Sequence, residues 1–137
     1  LQAAILLAKL DVFEDEIIQR QSVAAGYGRA LADASVKRPV VGEGNTSVWA
    51  QYTILSPDRD ALRERLQAEG IPSVSYYAVP MHQQPVFASR GYQVGDFPET
   101  ERVSAQCLSL PMSVGLSEAV IEEIGRACTG QRTDQFS

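Results

Sequence analysis

Apolar positions at the start of the chain recur at steps of three, four and seven residues, which places them on one stripe of an α-helix. They are Leu6, Leu10, Phe13, Ile17, Ala24 and Leu31. We therefore predict one long helix over residues 1–36, weakened near its end by Gly26 and Gly28 and finished before Pro39. Residue 1 already lies inside this helical run with no N-cap before it, so we expect the chain to be the C-terminal part of a longer protein.

The rest of the chain alternates between β-type and helix-type patterns. Residues rich in β-branched and aromatic side chains, or short apolar runs bounded by proline, predict strands over 47–55, 71–77 and 108–110. Helices are predicted over 60–69, 98–107 and 118–129. The signals are N-terminal caps at Asp58 and Ser117, Pro98 in a first turn and Gly70 after a helix end. This order indicates an α+β sandwich, with a long N-terminal helix and a small, mainly antiparallel, three-stranded sheet covered by helices. The predicted parts are the long helix 1–36, a small α+β domain 37–130 and a disordered polar tail 131–137.

Composition narrows the classes of partner. The net charge of −5 and the absence of a basic run argue against nucleic acid and against anionic membranes. No apolar stretch approaches the roughly 20 residues that span a bilayer. Cys107 and Cys128 with a single histidine are too few for a usual zinc site, so we predict reduced thiols, no metal and a cytoplasmic location.

Residues 75–87 form the segment with the densest candidate chemistry, and we name it the aromatic-amide loop. It contains the only histidine of the chain, two of its five tyrosines and two side-chain amides. Pro80 and Pro85 each fix φ and remove a backbone donor, which predicts an ordered loop and not a helix or a central strand. Ordered loops that display such groups often bind ligands, although a packed connector remains the alternative.

Other motifs give weaker signals. Gly42 and Gly44 are followed by a predicted strand, so they do not form a phosphate loop before a helix. His82 and Cys107 could form a base and a nucleophile, but Cys107 falls at a helix-to-strand junction where burial is expected. Four carboxylates are interpreted as helix-terminus charges: Asp58, Asp60, Glu99 and Glu101.

The two lysines of the chain, Lys9 and Lys37, lie within and at the end of the first predicted helix. Neither adjoins a feature that would desolvate it, as a Schiff-base lysine requires. We therefore expect no covalent cofactor lysine in this chain.

Several segments, in order, resemble the DegT/DnrJ/StrS family of nucleotide-sugar aminotransferases. Residues 1–10 resemble the start of the family's long interdomain helix, 47–53 its first small-domain strand, 59–72 the helix and turn that follow, and 97–112 its last helix and strand. Tyr77-x-x-Pro80-Met81-His82-x-Gln84-Pro85-x-Phe87 is similar to the family segment Tyr-Pro-x-Pro-Leu-His-x-Gln-Pro-x-Tyr. The resemblance points most to enzymes that aminate UDP-2-acetamido-2-deoxy-3-oxo-glucuronate in polysaccharide synthesis.

This resemblance implies the small C-terminal domain of a fold-type-I pyridoxal phosphate enzyme together with its connecting helix. The full-length enzyme would transfer an amino group from glutamate to a keto sugar attached to a nucleotide, and it would form a homodimer. The aldimine lysine would lie outside this chain, so we expect no pyridoxal phosphate bound to this chain alone and no catalysis by it.

The resemblance also implies substrate-binding roles for Tyr76, Tyr77, His82 and Gln84 and assigns no catalytic residue to this chain. Two residues depart from the family pattern, since Ala78 replaces a proline and Phe87 a tyrosine. The alternative function is a stand-alone α+β binding domain, or a self-associating one, without enzymatic activity. An exposed apolar stripe on the first helix would favour self-association.

Overall fold

The chain forms α-helices and a small antiparallel sheet, and the computed structural model describes residues 2–130. The helices are α1 Gln2–Leu10, α2 Phe13–Ala30, α3 Arg59–Ala68, α4 Pro98–Gln106 and α5 Glu118–Thr129, and the strands are β1 Tyr52–Leu55 and β2 Cys107–Leu110. Two 3-10 helices, Met81–Gln83 and Pro85–Arg90, lie between α3 and α4 along the chain. The α+β class is thus confirmed, while the tail predicted over 131–137 lies outside the described residues.

The described residues group into two compact units. One contains α1, α2, Val40–Tyr52 and α5, and the other contains Ser35–Pro39 and Thr53–Pro111. The division into 1–36, 37–130 and 131–137 stays a prediction.

The long first helix of the prediction is two helices in the structure. After α1 the amide of Val12 donates to the carbonyl of Lys9 at 3.3 Å, which closes a tight turn before α2 begins. Asp11 and Val12 both have weak helix propensity, which explains the position of this break. Burial follows the same division, because α1 buries no residue whereas α2 buries Val23, Ala24, Gly26 and Tyr27.

The first unit is built around the packing of α2 on α5. Tyr27 is fully buried and stacks on Tyr52 with ring centroids 4.7 Å apart. Burial raises the pKa of the Tyr27 phenol, and the neighbouring Cys128 and Tyr52 raise it further. The two helices approach closely at Gly125, where an added Cβ would lie 2.6 Å from the carbonyl oxygen of Ala30.

The strand predicted over 47–55 begins only at Tyr52. Trp49 adopts a left-handed φ of 50°, which interrupts extended backbone. Its indole Nε1 donates to Gln21 Oε1 at 2.8 Å, and Arg20 donates to its carbonyl at 3.1 Å. Residues 47–51 are therefore a loop held on α2 by side-chain hydrogen bonds, not part of the sheet.

The second unit contains the sheet. The amide of Ser56 donates to the carbonyl of Gln106 at 2.9 Å, and the hydroxyls of Thr53 and Ser109 lie 2.8 Å apart, which defines the antiparallel register of β1 and β2. Every residue of β2 is buried, and α3 packs against this strand.

The predicted three-stranded sheet is reduced to two strands flanked by single bridges. Lys37 pairs with Leu55 on one side, and Val74 pairs with Ser109 on the other. Of the strand predicted over 71–77, only Val74 pairs with the sheet, so the prediction is wrong for the other six residues. The backbone turns directly after Ser75, whose hydroxyl accepts a 2.8 Å hydrogen bond from the Arg59 guanidinium.

Local capping signals predicted the helix ends well. The Asp58 side chain accepts from the amide of Ala61 at the start of α3, and Gly70 has a left-handed φ of 73° just after its end. Ser117 caps α5 by accepting from the amide of Val120. These three predictions are confirmed.

Candidate functional site

The aromatic-amide loop begins with an exposed turn and continues as two 3-10 helices. Tyr76 and Tyr77 lie in the turn and expose 57% and 73% of their surface. Backbone hydrogen bonds then order the following residues: Gln83 N to Pro80 O at 3.0 Å, Gln84 N to Met81 O at 3.1 Å and Phe87 N to Gln84 O at 2.9 Å. The loop thus presents both tyrosines and the exposed Gln84 on a hydrogen-bonded backbone.

His82 differs from the other predicted site residues because its side chain is buried, with only 7% of it exposed. Its Nε2 lies 3.0 Å from Oε1 of Glu101 in α4. Its ring packs against Phe97 at a centroid distance of 4.8 Å, with Tyr92 edge-on at 6.5 Å. These contacts hold the imidazole in one place and leave part of the ring to line a cleft.

Glu101 contributes to the site in a way that its position in the sequence did not indicate. It lies in the first turn of α4, as expected of a helix-terminus carboxylate, but it also accepts from the amide of Gly95 at 2.8 and 3.0 Å. The Gly95 hydrogen bond lowers the pKa of the Glu101 carboxyl, and the His82 hydrogen bond lowers it further, against an opposing effect of burial. Glu101 therefore fixes two loop segments at one carboxylate.

A cleft of about 410 Å³ opens beside this pair. It is lined by Met81, His82, Phe87, Arg90, Tyr92, Phe97 and Thr100. Its volume is within the range of small-molecule sites, and its walls are mostly apolar with a few polar groups.

The Cys–His dyad considered from the sequence does not form. The buried Cys107 thiol lies 3.5 Å from the Ser75 hydroxyl and 3.7 Å from the carbonyl of Ser104, while His82 Nε2 contacts Glu101. Within residues 2–130 no group of three or more His, Cys, Asp and Glu side chains is placed to hold a metal ion. Over the same range, no helix is both long and apolar enough to cross a bilayer.

The described residues do not fit a covalently bound pyridoxal phosphate. Lys9 is exposed on α1, and Lys37 is exposed beside β1, where its backbone pairs with Leu55. Neither amine has the desolvated setting that an aldimine lysine needs.

The fold and the loop can now be compared with known proteins. The sequence profile of the DegT/DnrJ/EryC1/StrS aminotransferase family matches residues 1–129. The chain belongs to this family. The resemblance inferred from the loop motif is thereby confirmed at the level of the family.

Three members illustrate the relationship. The UDP-2-acetamido-2-deoxy-3-oxo-D-glucuronate aminotransferase of Pseudomonas aeruginosa is 39% identical over 129 residues, which cover 94% of this chain and 35% of that enzyme. A crystal structure of a DegT/DnrJ/EryC1/StrS aminotransferase from Brucella abortus is 46% identical with a TM-score of 0.84, covering 94% of this chain and 34% of that one. S. venezuelae DesV, solved with a ketimine intermediate, is 31% identical with a TM-score of 0.89, covering 97% of this chain and 37% of that one.

The DegT/DnrJ/EryC1/StrS match covers the chain almost completely but covers the relatives only in part. The chain spans about a third of the length of these relatives, 35% in the case of the Pseudomonas enzyme. The activity and substrates of the full-length relatives are therefore only proposed for this chain.

Proposed function

We propose that this chain is part of a pyridoxal phosphate-dependent aminotransferase that moves an amino group from glutamate to a keto sugar carried by a nucleotide. The observation that carries this proposal is the family match over residues 1–129. The Pseudomonas relative is a UDP-2-acetamido-2-deoxy-3-oxo-D-glucuronate aminotransferase, which supports a UDP-linked 3-keto sugar as the substrate. On this proposal the chain is not catalytically competent alone.

Pyridoxal phosphate would be held by the rest of the full-length enzyme, because Lys9 and Lys37 are unsuited to bind it here. When bound, that cofactor accepts the amino group and passes it on. The task left to this chain is to bind and orient the sugar nucleotide. Dimerisation of the full-length enzyme and its cytoplasmic location belong to the same proposal.

The aromatic-amide loop is the proposed contact surface for the substrate. Tyr76 and Tyr77 expose hydroxyls that can donate to or accept from sugar oxygens, and Gln84 adds an amide. His82, also predicted to contact substrate, can do so only through the ring atoms that line the cleft, because its Nε2 is engaged by Glu101. Its larger proposed contribution is to keep the loop in place.

Steady-state kinetics of the full-length enzyme test these roles. Tyr77→Phe and Gln84→Leu should each raise the KM for the sugar nucleotide by roughly tenfold and leave the KM for glutamate unchanged, since each removes one substrate hydrogen bond. Gln83→Leu is the matched control, because Gln83 is an adjacent exposed amide without an assigned role. A KM for Gln84→Leu equal to that of Gln83→Leu would count against the proposed contact of Gln84, and an unchanged KM for Tyr77→Phe would count against that of Tyr77.

A second candidate function, self-association of the isolated chain, is favoured by one observation. All described residues of α1 are exposed, including Ile5, Leu6, Leu7 and Leu10 at 55–67%. An apolar helix face of this kind gains free energy when another apolar surface covers it.

A further inference from the structure

We propose that Arg59 is a positioning residue, which acts through Ser75 to hold the turn that carries Tyr76 and Tyr77 and thereby strengthens binding of the sugar nucleotide. Arg59 itself need not touch the substrate. The effect on substrate binding rests on the proposed function, whereas the effect on the turn rests only on contacts within the second unit.

Arg59 occupies an unfavourable place for a cation. It is the first residue of α3, where backbone amides form the positive end of the helix and acidic side chains are preferred. Its side chain is only 12% exposed, and a guanidinium that leaves water loses hydration free energy unless it is paired. Arg63, one turn later on the same helix, is exposed and avoids both costs. A mostly buried cation at a helix start therefore needs partners that offset these costs.

Ser75 is the partner that links Arg59 to the aromatic-amide loop. The guanidinium Nη1 donates to Ser75 Oγ at 2.8 Å, and the Nε atom lies 2.7 Å from Oδ1 of Asp60. The Asp60 side chain is 67% exposed, so water screens this ion pair, whereas the bond to Ser75 is partly buried and joins residues 16 apart in the sequence. Hydrogen bonds donated by a charged group are stronger than those between neutral groups. The bond to Ser75 therefore ties the start of α3 to the loop.

This bond acts at the point where the loop leaves the sheet. Val74 and Ser109 exchange two backbone hydrogen bonds, at 3.1 and 2.8 Å, and the turn with Tyr76 and Tyr77 begins directly after Ser75. Because both tyrosines are largely exposed, packing does little to hold them, and their position depends on the backbone before them. Without the guanidinium bond the turn would be less ordered, and the substrate would have to order it at a cost in affinity.

Backbone ¹⁵N relaxation of the 137-residue chain tests the effect on the turn. Arg59→Met keeps an apolar stem but cannot donate to Ser75, so the order parameters of the Tyr76 and Tyr77 amides should fall by roughly 0.2 from the rigid-backbone value of about 0.85. Ser75→Ala removes the acceptor without changing the charge and should give the same fall. Arg63→Met removes an exposed cation from the same helix and should leave both amides unchanged. Unchanged order parameters in Arg59→Met and Ser75→Ala would overturn the positioning role.

Kinetics of the full-length enzyme test the effect on substrate. Arg59→Met and Ser75→Ala should each raise the KM for the sugar nucleotide by roughly tenfold and leave kcat and the KM for glutamate unchanged. A purely structural role would instead lower kcat through loss of folded enzyme and leave both KM values as they are. The double variant should raise the KM no further than Arg59→Met, since both changes break one bond.

The two proposals fail in different ways. An unmodified full-length enzyme that aminates no keto sugar nucleotide would refute the proposed function, and the relaxation of the Tyr76 and Tyr77 amides would still decide whether Arg59 holds the turn. Normal amination with the same KM for the sugar nucleotide in Arg59→Met and Arg63→Met would overturn the role of Arg59 in substrate binding alone.

Discussion

His82 Nε2 and Glu101 Oε1 lie 3.0 Å apart although 19 residues separate them in the sequence. The pair joins the aromatic-amide loop to the first turn of α4. Because Glu101 also accepts from the amide of Gly95, one carboxylate holds both the aromatic-amide loop and the segment that precedes α4. The pair therefore anchors the aromatic-amide loop to α4.

The first prediction concerns how the stability contributed by Glu101 depends on pH. Since the pKa of Glu101 is lowered from an ordinary value of 4.5, its ionised form stabilises the folded state above that value, and this contribution is lost as pH falls through the lowered pKa. Glu101→Gln should therefore unfold at lower urea than the unmodified chain near neutral pH, and the gap should narrow at about pH 3. Glu64→Gln, exposed on α3, corrects for the loss of one negative charge. A gap that stays the same at both pH values would contradict this role.

The second prediction concerns the close approach of α2 and α5. Gly125→Ala would place a Cβ 2.6 Å from the Ala30 carbonyl oxygen and 2.7 Å from its Cβ, so the helices must separate. We expect a loss of about 1–3 kcal/mol in the free energy of unfolding. Gly26→Ala is the matched control, because its new Cβ meets the flexible end of Ile121 at 3.1 Å and should cost less than about 1 kcal/mol. Urea unfolding measures both, and a larger loss for Gly26→Ala would refute the argument.

The third prediction concerns the exposed face of α1. The isolated chain should show a weight-average mass that rises with concentration in sedimentation equilibrium. Leu6→Gln combined with Leu10→Gln should reduce that rise, because both leucines are more than 60% exposed on α1. Val40→Gln combined with Val94→Gln removes two exposed apolar side chains outside α1 and should leave the rise in mass with concentration unchanged. A monomer at every concentration would show that this face does not drive association.

Sequence reasoning succeeded where the cause of a structure lies within a few residues. The caps at Asp58 and Ser117 and the turn at Gly70 are local hydrogen bonds and local φ values, so the helices that they bound were predicted closely. The loop motif from Tyr77 to Phe87 indicated the family without any knowledge of the fold.

Sequence reasoning failed where contacts between residues distant in sequence determine the local structure. Ile71 to Tyr77 has strand-like side chains, but the chain turns after Ser75, so only Val74 pairs with the sheet. Trp49 leaves extended backbone, and its indole bonds to Gln21, 28 residues away. The link between His82 and Glu101 has no signal in local spacing, and for that reason the burial of His82 was not foreseen.

The central claim is that this chain is one part of a sugar-nucleotide aminotransferase whose remaining part holds the cofactor. The most direct measurement is transfer of ¹⁵N from labelled glutamate to UDP-2-acetamido-2-deoxy-3-oxo-glucuronate in the presence of pyridoxal phosphate. It compares the longer protein that contains residues 1–137 with this chain alone. We predict labelled amino sugar from the longer protein and none from this chain. Failure of the longer protein to aminate any keto sugar nucleotide, or amination by this chain alone, would contradict the account.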